Sequence, residues 1–112
     1  MTAEEQFLQN FQSELKRGAL VLVTLSQLRQ AQHGYQLVKT LSEAGVEVEG
    51  NTLYPLLRRL EEQGLLSSTW AITEEKPRKN YVLNPKGARM LTEMLAIWQA
   101  SNHTIDQLLN EE

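Results

Sequence analysis

Apolar and polar positions follow the helical period over most of this chain, and the clearest run is Leu53, Leu56, Leu57 and Leu60. That i, i+3, i+4, i+7 spacing stacks four side chains into one stripe and predicts an α-helix with one buried face between Gly50 and Gly64. The opposite face collects Asn51, Tyr54, Pro55 and Arg58, with Thr52 and Arg59 on its shoulder. Asn51 or Thr52 is expected to cap the start, Pro55 to lie in the first turn, and Gly64 to take the left-handed conformation that ends the helix. Alone, the stretch reads either as a solvated surface helix or as one whose basic, amide- and hydroxyl-bearing N-terminal half suits a DNA major groove.

Upstream, Thr2 and Glu5 form a capping-box pattern ahead of Phe7, Leu8, Phe11 and Leu15, so a first helix begins near Ala3. Gly18 is expected to bend it or to separate it from a second helical run, Ala19 to Gln30, which its apolar positions from Leu20 to Leu28 bury on most sides. His33-Gly34 breaks that run, and Tyr35, Leu37, Val38 and Leu41 open a short amphipathic helix ending at Gly45. Two helices joined by so short a link read as a helix-turn-helix.

After Gly64 the period changes. Leu65 to Thr73 and Tyr81 to Leu83 are rich in β-branched and aromatic residues and predict two strands. Between them, Glu74 to Asn80 carries Lys76-Pro77-Arg78-Lys79, so a projecting, basic hairpin tip is expected. Asn84-Pro85 then supplies an N-cap and an N1 proline for a helix running to about Leu109. Leu91, Trp98 and Ile105 stand seven apart, with Met94, Ser101 and Leu108 three residues after each, an a/d seam that calls for a partner helix. The fold expected is mainly α with a β-hairpin: a winged helix-turn-helix with its N-terminal helix over 1–84, then a long C-terminal dimerisation helix over 85–112.

Composition changes little in this picture. A chain of 112 residues, 41% apolar and 22% charged, is ordinary for a globular protein. Its formal charge of −3 means that any contact with nucleic acid must rest on local clusters of Lys and Arg. Cysteine is absent, which excludes disulfides and thiolate metal sites. With no apolar run near the ~20 residues of a membrane span and no signal pattern, a soluble, cytoplasmic protein that avoids membranes is expected. His33 and His103 have no further ligand at metal spacing, and no nucleophile has a base beside it in a known motif, so neither a metal, a cofactor nor enzyme activity is expected. The pairs Glu61-Glu62, Glu74-Glu75 and Glu111-Glu112 diverge on a helix and read as solvated charge.

Three segments together carry a resemblance. His33-Gly34-Tyr35-Gln36-Leu37-Val38-Lys39, the stretch Thr52-Leu53-Tyr54-Pro55-Leu56-Leu57-Arg58-Arg59-Leu60-Glu61, and Pro77-Arg78-Lys79-Asn80-Tyr81-Val82-Leu83-Asn84 with Gly87 resemble the PadR family of bacterial transcriptional regulators over residues 18–109. The resemblance implies a winged-helix domain that binds double-stranded DNA, a C-terminal helix that forms a homodimer, and a repressor relieved by a small molecule. The short C-terminal region with Trp98 is similar to the small-PadR subgroup that includes a lactococcal multidrug-responsive repressor, in which paired tryptophans line a flat aromatic pore. The chain departs from the pattern at Asn80, where the family often has a second tyrosine, and at Asn84, where it often has threonine.

On this basis Asn51, Thr52, Tyr54 and Arg58 are assigned to the groove, Lys76, Arg78 and Lys79 on the wing to backbone phosphate, and Tyr35 and Lys39 to further phosphate contacts. Trp98, Ser101, Asn102, Leu91 and Ile105 are assigned to the dimer seam and to a planar aromatic effector stacked between two Trp98 rings. Phe7, Leu8, Phe11 and Leu15 are candidates to wall that pore. The rival from another class is a winged-helix protein-interaction module that uses Arg58-Arg59 and the long helix without binding DNA.

Overall fold

A computed structural model describes residues 1–72 and 76–110. The elements are α1 (Ala3–Gln27), β1 (Gln32–His33), α2 (Gly34–Glu43), α3 (Gly50–Glu62), β2 (Leu66–Ile72), β3 (Pro77–Leu83) and α4 (Pro85–Leu109). The strands form one antiparallel sheet in the order β1-β3-β2, with Leu66 opposite Leu83, Ile72 opposite Pro77, and His33 of β1 opposite Asn80. This is the expected winged helix-turn-helix followed by a long helix.

Each element has a local cause. The Thr2 hydroxyl accepts from the Glu5 amide at 3.1 Å and starts α1. Gly18 does not separate two helices: α1 is one helix, because a single glycine costs only about 1 kcal/mol and Leu25 and Leu28 further along are fully buried. Helices α2 and α3 end in the same way. The amides of Gly45 and Val46 donate to the carbonyls of Ser42 and Leu41, and those of Gly64 and Leu65 to the carbonyls of Glu61 and Leu60. These paired bonds need a residue with positive φ, supplied by Gly45 at +94° and Gly64 at +82°. At the head of α4 the Asn84 carboxamide oxygen accepts from the Gly87 amide at 2.8 Å, with Pro85 in the first turn, as the sequence predicts.

Three local expectations are corrected. The residue that caps α3 is Glu49, which makes no side-chain cap bond, so Asn51 and Thr52 lie inside the first turn. Pro55 therefore falls in the second turn and not the first, and the Asn51 carbonyl lacks the N–H donor that another residue at 55 would supply. The basic run is not a free tip either: Pro77, Arg78 and Lys79 are paired into β3 opposite Ile72, Ala71 and Trp70. Proline is tolerated there because it is the first residue of the strand and β1 pairs only further along. Of the paired acids, Glu74-Glu75 and Glu111-Glu112 lie outside the described residues, as does Thr73.

The core is a leucine cluster. Leu25 of α1, Leu28 at its C-cap, Leu37 and Leu41 of α2, and all four leucines of the α3 stripe meet Leu66, Tyr81 and Leu91. Each fully buried leucine contributes roughly 1.5–3 kcal/mol of transfer free energy. Leu91, which the sequence assigns to the seam, is 2% exposed and packs in the chain's own core. The first turns of α4 lie against the winged helix, and heptad spacing alone does not distinguish an internal neighbour from a second chain. Beyond that region both long helices project: the radius of gyration is 16.6 Å, against ~13 Å for a compact chain of this length. The projecting parts carry Phe7, Leu8, Phe11 and Leu15 on α1, and Ile97, Trp98, Ile105 and Leu108 on α4, all exposed.

Candidate nucleic-acid interface

Helices α2 and α3 begin next to one another, and one ring holds them together. Tyr54 of α3 lies so close to both helix starts that a Cβ on Gly34 would stand 2.7 Å from its Cδ1, and one on Gly50 2.9 Å from its Cε2. These contacts leave no room for a side chain larger than hydrogen at Gly34. The ring therefore turns outward only in part and, with the wing, frames a cleft of about 370 Å³.

This cleft gathers much of what the sequence singles out. Tyr35 comes from α2, Tyr54 and Arg58 from α3, and Lys76, Arg78 and Lys79 from the wing. Lys39, on α2, is exposed but does not line it. Nor do Asn51 and Thr52, which are exposed at the start of α3. Thr52, Pro55 and Arg59 instead border a second groove of about 790 Å³ against Leu20 and Val21 of α1 and Val46 and Val48 of the interhelical turn. The outer face of α3 is thus divided between two concavities.

The cations of the cleft are not equivalent. Lys79 Nζ donates to Glu61 Oε1 at 2.7 Å and sits 5.2 Å from the centre of the Tyr81 ring. The Ser68 hydroxyl donates to the other Glu61 oxygen. The Lys79 hydrogen bond, then that of Ser68, holds the Glu61 carboxyl below its ordinary pKa, and the same bond to Glu61 raises that of Lys79. Glu61 is accordingly not free solvated charge, and Lys79 braces the wing against α3. Arg78 lies elsewhere: its Nη1 is 3.0 Å from His33 Nε2.

His33 was not among the expected site residues. Its Nδ1 accepts from the Gln36 amide at 3.1 Å and caps α2, and its ring stacks at 6.4 Å on Tyr35. Desolvation, and then the charge of Arg78, pushes its pKa below the ordinary imidazole value. The sign follows from linkage. Because the folded state resists protonation, this contribution to stability is complete above about pH 6.5, the unfolded value, and is lost as pH falls from there towards the lower folded value. A Tm measured from pH 7.5 to 5.5 is expected to fall in that interval, and the same scan of His33→Ser, whose hydroxyl keeps a cap without an ionisable ring, is expected to be flatter. Loss of the Glu61–Lys79 pair belongs to lower pH, since a depressed carboxyl is protonated only below its ordinary range.

Comparison with known proteins bears directly on this arrangement. Residues 21–93 match the model of the transcriptional regulator PadR-like family. The chain belongs to the PadR family. A PadR-family transcriptional regulator from Eggerthella lenta is similar over 98% of both chains, with 44% identity and a TM-score of 0.95. A PadR-like regulator from Bacillus cereus aligns over 85% of this chain and 92% of its own, with 29% identity and a TM-score of 0.68. A transcriptional regulator of Mycobacterium tuberculosis is 43% identical over 61 residues, which is 54% of this chain and 57% of that protein. The family match takes in α2, α3, the wing and the first turns of α4, and so the whole cleft. It excludes the projecting half of α1 and the part of α4 from Met94 onwards. None of the described helices is long and apolar enough to cross a membrane.

Proposed function

We propose that this PadR-family regulator binds duplex DNA as a homodimer on a pseudo-palindromic operator and acts as a repressor relieved by a planar small molecule. The observation that carries the reading is the cleft in which wing and α3 converge, where Arg58, Lys76 and Arg78 gather on a chain whose net charge is −3. Local positive charge against an acidic whole is what phosphate contact at one face requires. Arg58 on α3 is suited to a bidentate contact with guanine, and the uncapped start of α3, with Asn51 and Thr52, to a phosphate. Tyr35 and Lys39 extend that surface along α2.

A mobility-shift assay on DNA flanking the gene tests the reading, and the salt dependence assigns the contacts. Each neutralised phosphate adds about 0.9 to the slope of log affinity against log salt. Lys76→Ala with Arg78→Ala is expected to weaken binding and to flatten the slope by roughly two contacts' worth. Lys79→Ala, which breaks the brace to Glu61, is expected to change the slope less. A slope untouched by the double variant would remove the wing from the mechanism, and no retention of any duplex in dilute salt would favour the protein-interaction module instead.

The effector site is placed on the projecting parts of α1 and α4. Trp98 is 46% exposed, a wide apolar ring with one N–H to satisfy. Ser101 and Asn102 follow it by about one turn, and Phe7, Leu8, Phe11 and Leu15 supply apolar walls. Planar cationic or phenolic compounds are expected to quench Trp98 fluorescence saturably, with Trp98→Phe reporting the background from Trp70. If a varied panel gives only linear quenching, the pore has no role in effector binding.

A further inference from the structure

His33 makes two contacts that its chemistry does not allow together. A neutral imidazole has one N–H and one lone pair, and a guanidinium is a donor only. Nδ1 accepts the Gln36 amide at 3.1 Å, while Arg78 Nη1 points at Nε2 from 3.0 Å. When the lone pair is on Nδ1, capping α2, the N–H is on Nε2 and faces the Arg78 donors. When it is on Nε2, the cap is lost. Protonation removes both acceptors.

An acceptor that draws Arg78 off its 3.0 Å approach and takes a hydrogen bond from both Nε2–H and the guanidinium resolves the conflict. Around that point the cleft is rich in donors: Tyr35 on α2, Tyr54 and Arg58 on α3, and Lys76 on the wing. No carboxylate is among the described residues that line it. An anion fits best, because it also offsets the charge of Arg58 and Arg78, and it has room in about 370 Å³. A phosphate group meets each requirement.

We infer that His33 is a phosphate-binding residue: with Nδ1 capping α2, its Nε2–H and the Arg78 guanidinium donate together to one phosphate of the DNA backbone. This rests on the DNA-binding reading above. It adds a contact made by a neutral side chain, coupled through one phosphate to a charged one, and it fixes the tautomer of the ring.

The experiment is a double-mutant cycle on the full chain with a duplex that the wild type retains, read by fluorescence anisotropy at several salt concentrations. His33→Ser keeps an oxygen to cap α2 but does not reach the phosphate, and a Tm near that of the wild type at pH 7.5 certifies the fold. His33→Asn is a second capping variant should serine lower the Tm. Expected are a loss in affinity of about tenfold, no change in salt slope because a neutral donor displaces no counterion, and a combined effect with Arg78→Ala smaller than the product of the two. Imidazole nitrogen NMR is expected to show the Nε2–H tautomer in the DNA complex. Titration with inorganic phosphate separates a free anion from the backbone: the inference predicts that millimolar phosphate does not compete out of proportion to its ionic strength, whereas strong competition assigns the cleft to a free anion and overturns it. Wild-type affinity in His33→Ser, or strictly multiplicative effects, would overturn it while leaving DNA binding intact. Failure of the wild type to bind any duplex would fell the underlying reading as well.

Discussion

Gly87→Ala is expected to cost about 3 kcal/mol or more and to lower the Tm by some 12–24 °C, taking ~4–8 °C per kcal/mol for a domain of this size. The reason is close approach, not helix propensity. A Cβ on Gly87 would lie 2.7 Å from Leu83 Cδ1 and closer still to the carbonyl oxygen of Leu65, whose carbon is 3.0 Å away. Leu83 can rotate, but the Leu65 carbonyl cannot: it accepts from the Asn84 amide at 3.3 Å, just before α4 begins. To make room, α4 has to move off the sheet, which strains the Asn84 cap and withdraws Leu91 from the core. Gly18→Ala is the internal control. Nothing lies within 4 Å of its would-be Cβ, so in mid-helix it is expected to gain up to about 1 kcal/mol. Thermal unfolding of both at one protein concentration checks the pair. Equal Tm values for wild type and Gly87→Ala would mean that α4 does not seat as tightly on the wing as described.

Gly87 also shows what the sequence makes legible and what it hides. A glycine three residues after an N-cap asparagine fits a helix start, and the start is where it was expected. The carbonyl that forbids a side chain there comes from Leu65, far away in the chain. The same division runs through the fold. The leucine stripe of α3 was legible because its neighbours in space are fixed by its own period, and all four residues are buried. Strand β1 was not, since two residues have no period, and it exists because β3 offers an edge opposite Gln32 and His33. Pro77 suggested a loop, a sound reading of proline that fails at the first residue of a strand.

At the site, residue types were legible and partnerships were not. Arg58, Lys76, Arg78 and Lys79 were recognised as cations on the helix and wing. That Lys79 is occupied by Glu61, 18 positions earlier, and Arg78 faces His33, 45 positions earlier, needs the fold. A signal for His33 did exist: it immediately precedes a helix, where a side-chain acceptor is useful. Its rank as a cap is low among residue types, and nothing local points to Arg78.

The largest functional effect is expected from the end of α4. Ile105 and Leu108 are 50% and 65% exposed on one face of a helix that projects from the body, with Trp98 about two and three turns before them. A helix with so little cover from its own chain is marginal in water, and most helical stability comes from packing of such a face. In a homodimer each residue is buried twice, at roughly 1.5–3 kcal/mol each time. Ile105→Asp with Leu108→Asp places four carboxylates in that seam, beside Asp106 of each chain, and is expected to yield monomers in sedimentation at micromolar concentration. Affinity for a full operator is then expected to fall by ~10²–10³, because the second half-site is no longer held at high effective concentration, while affinity for an isolated half-site stays within twofold or so. The two readouts separate two claims. A variant that remains dimeric would show that the interface lies elsewhere than on Ile105 and Leu108. A monomer that holds the full operator as tightly as the wild type would show that α3 and the wing read DNA singly, and the two-fold arrangement would have no part in recognition.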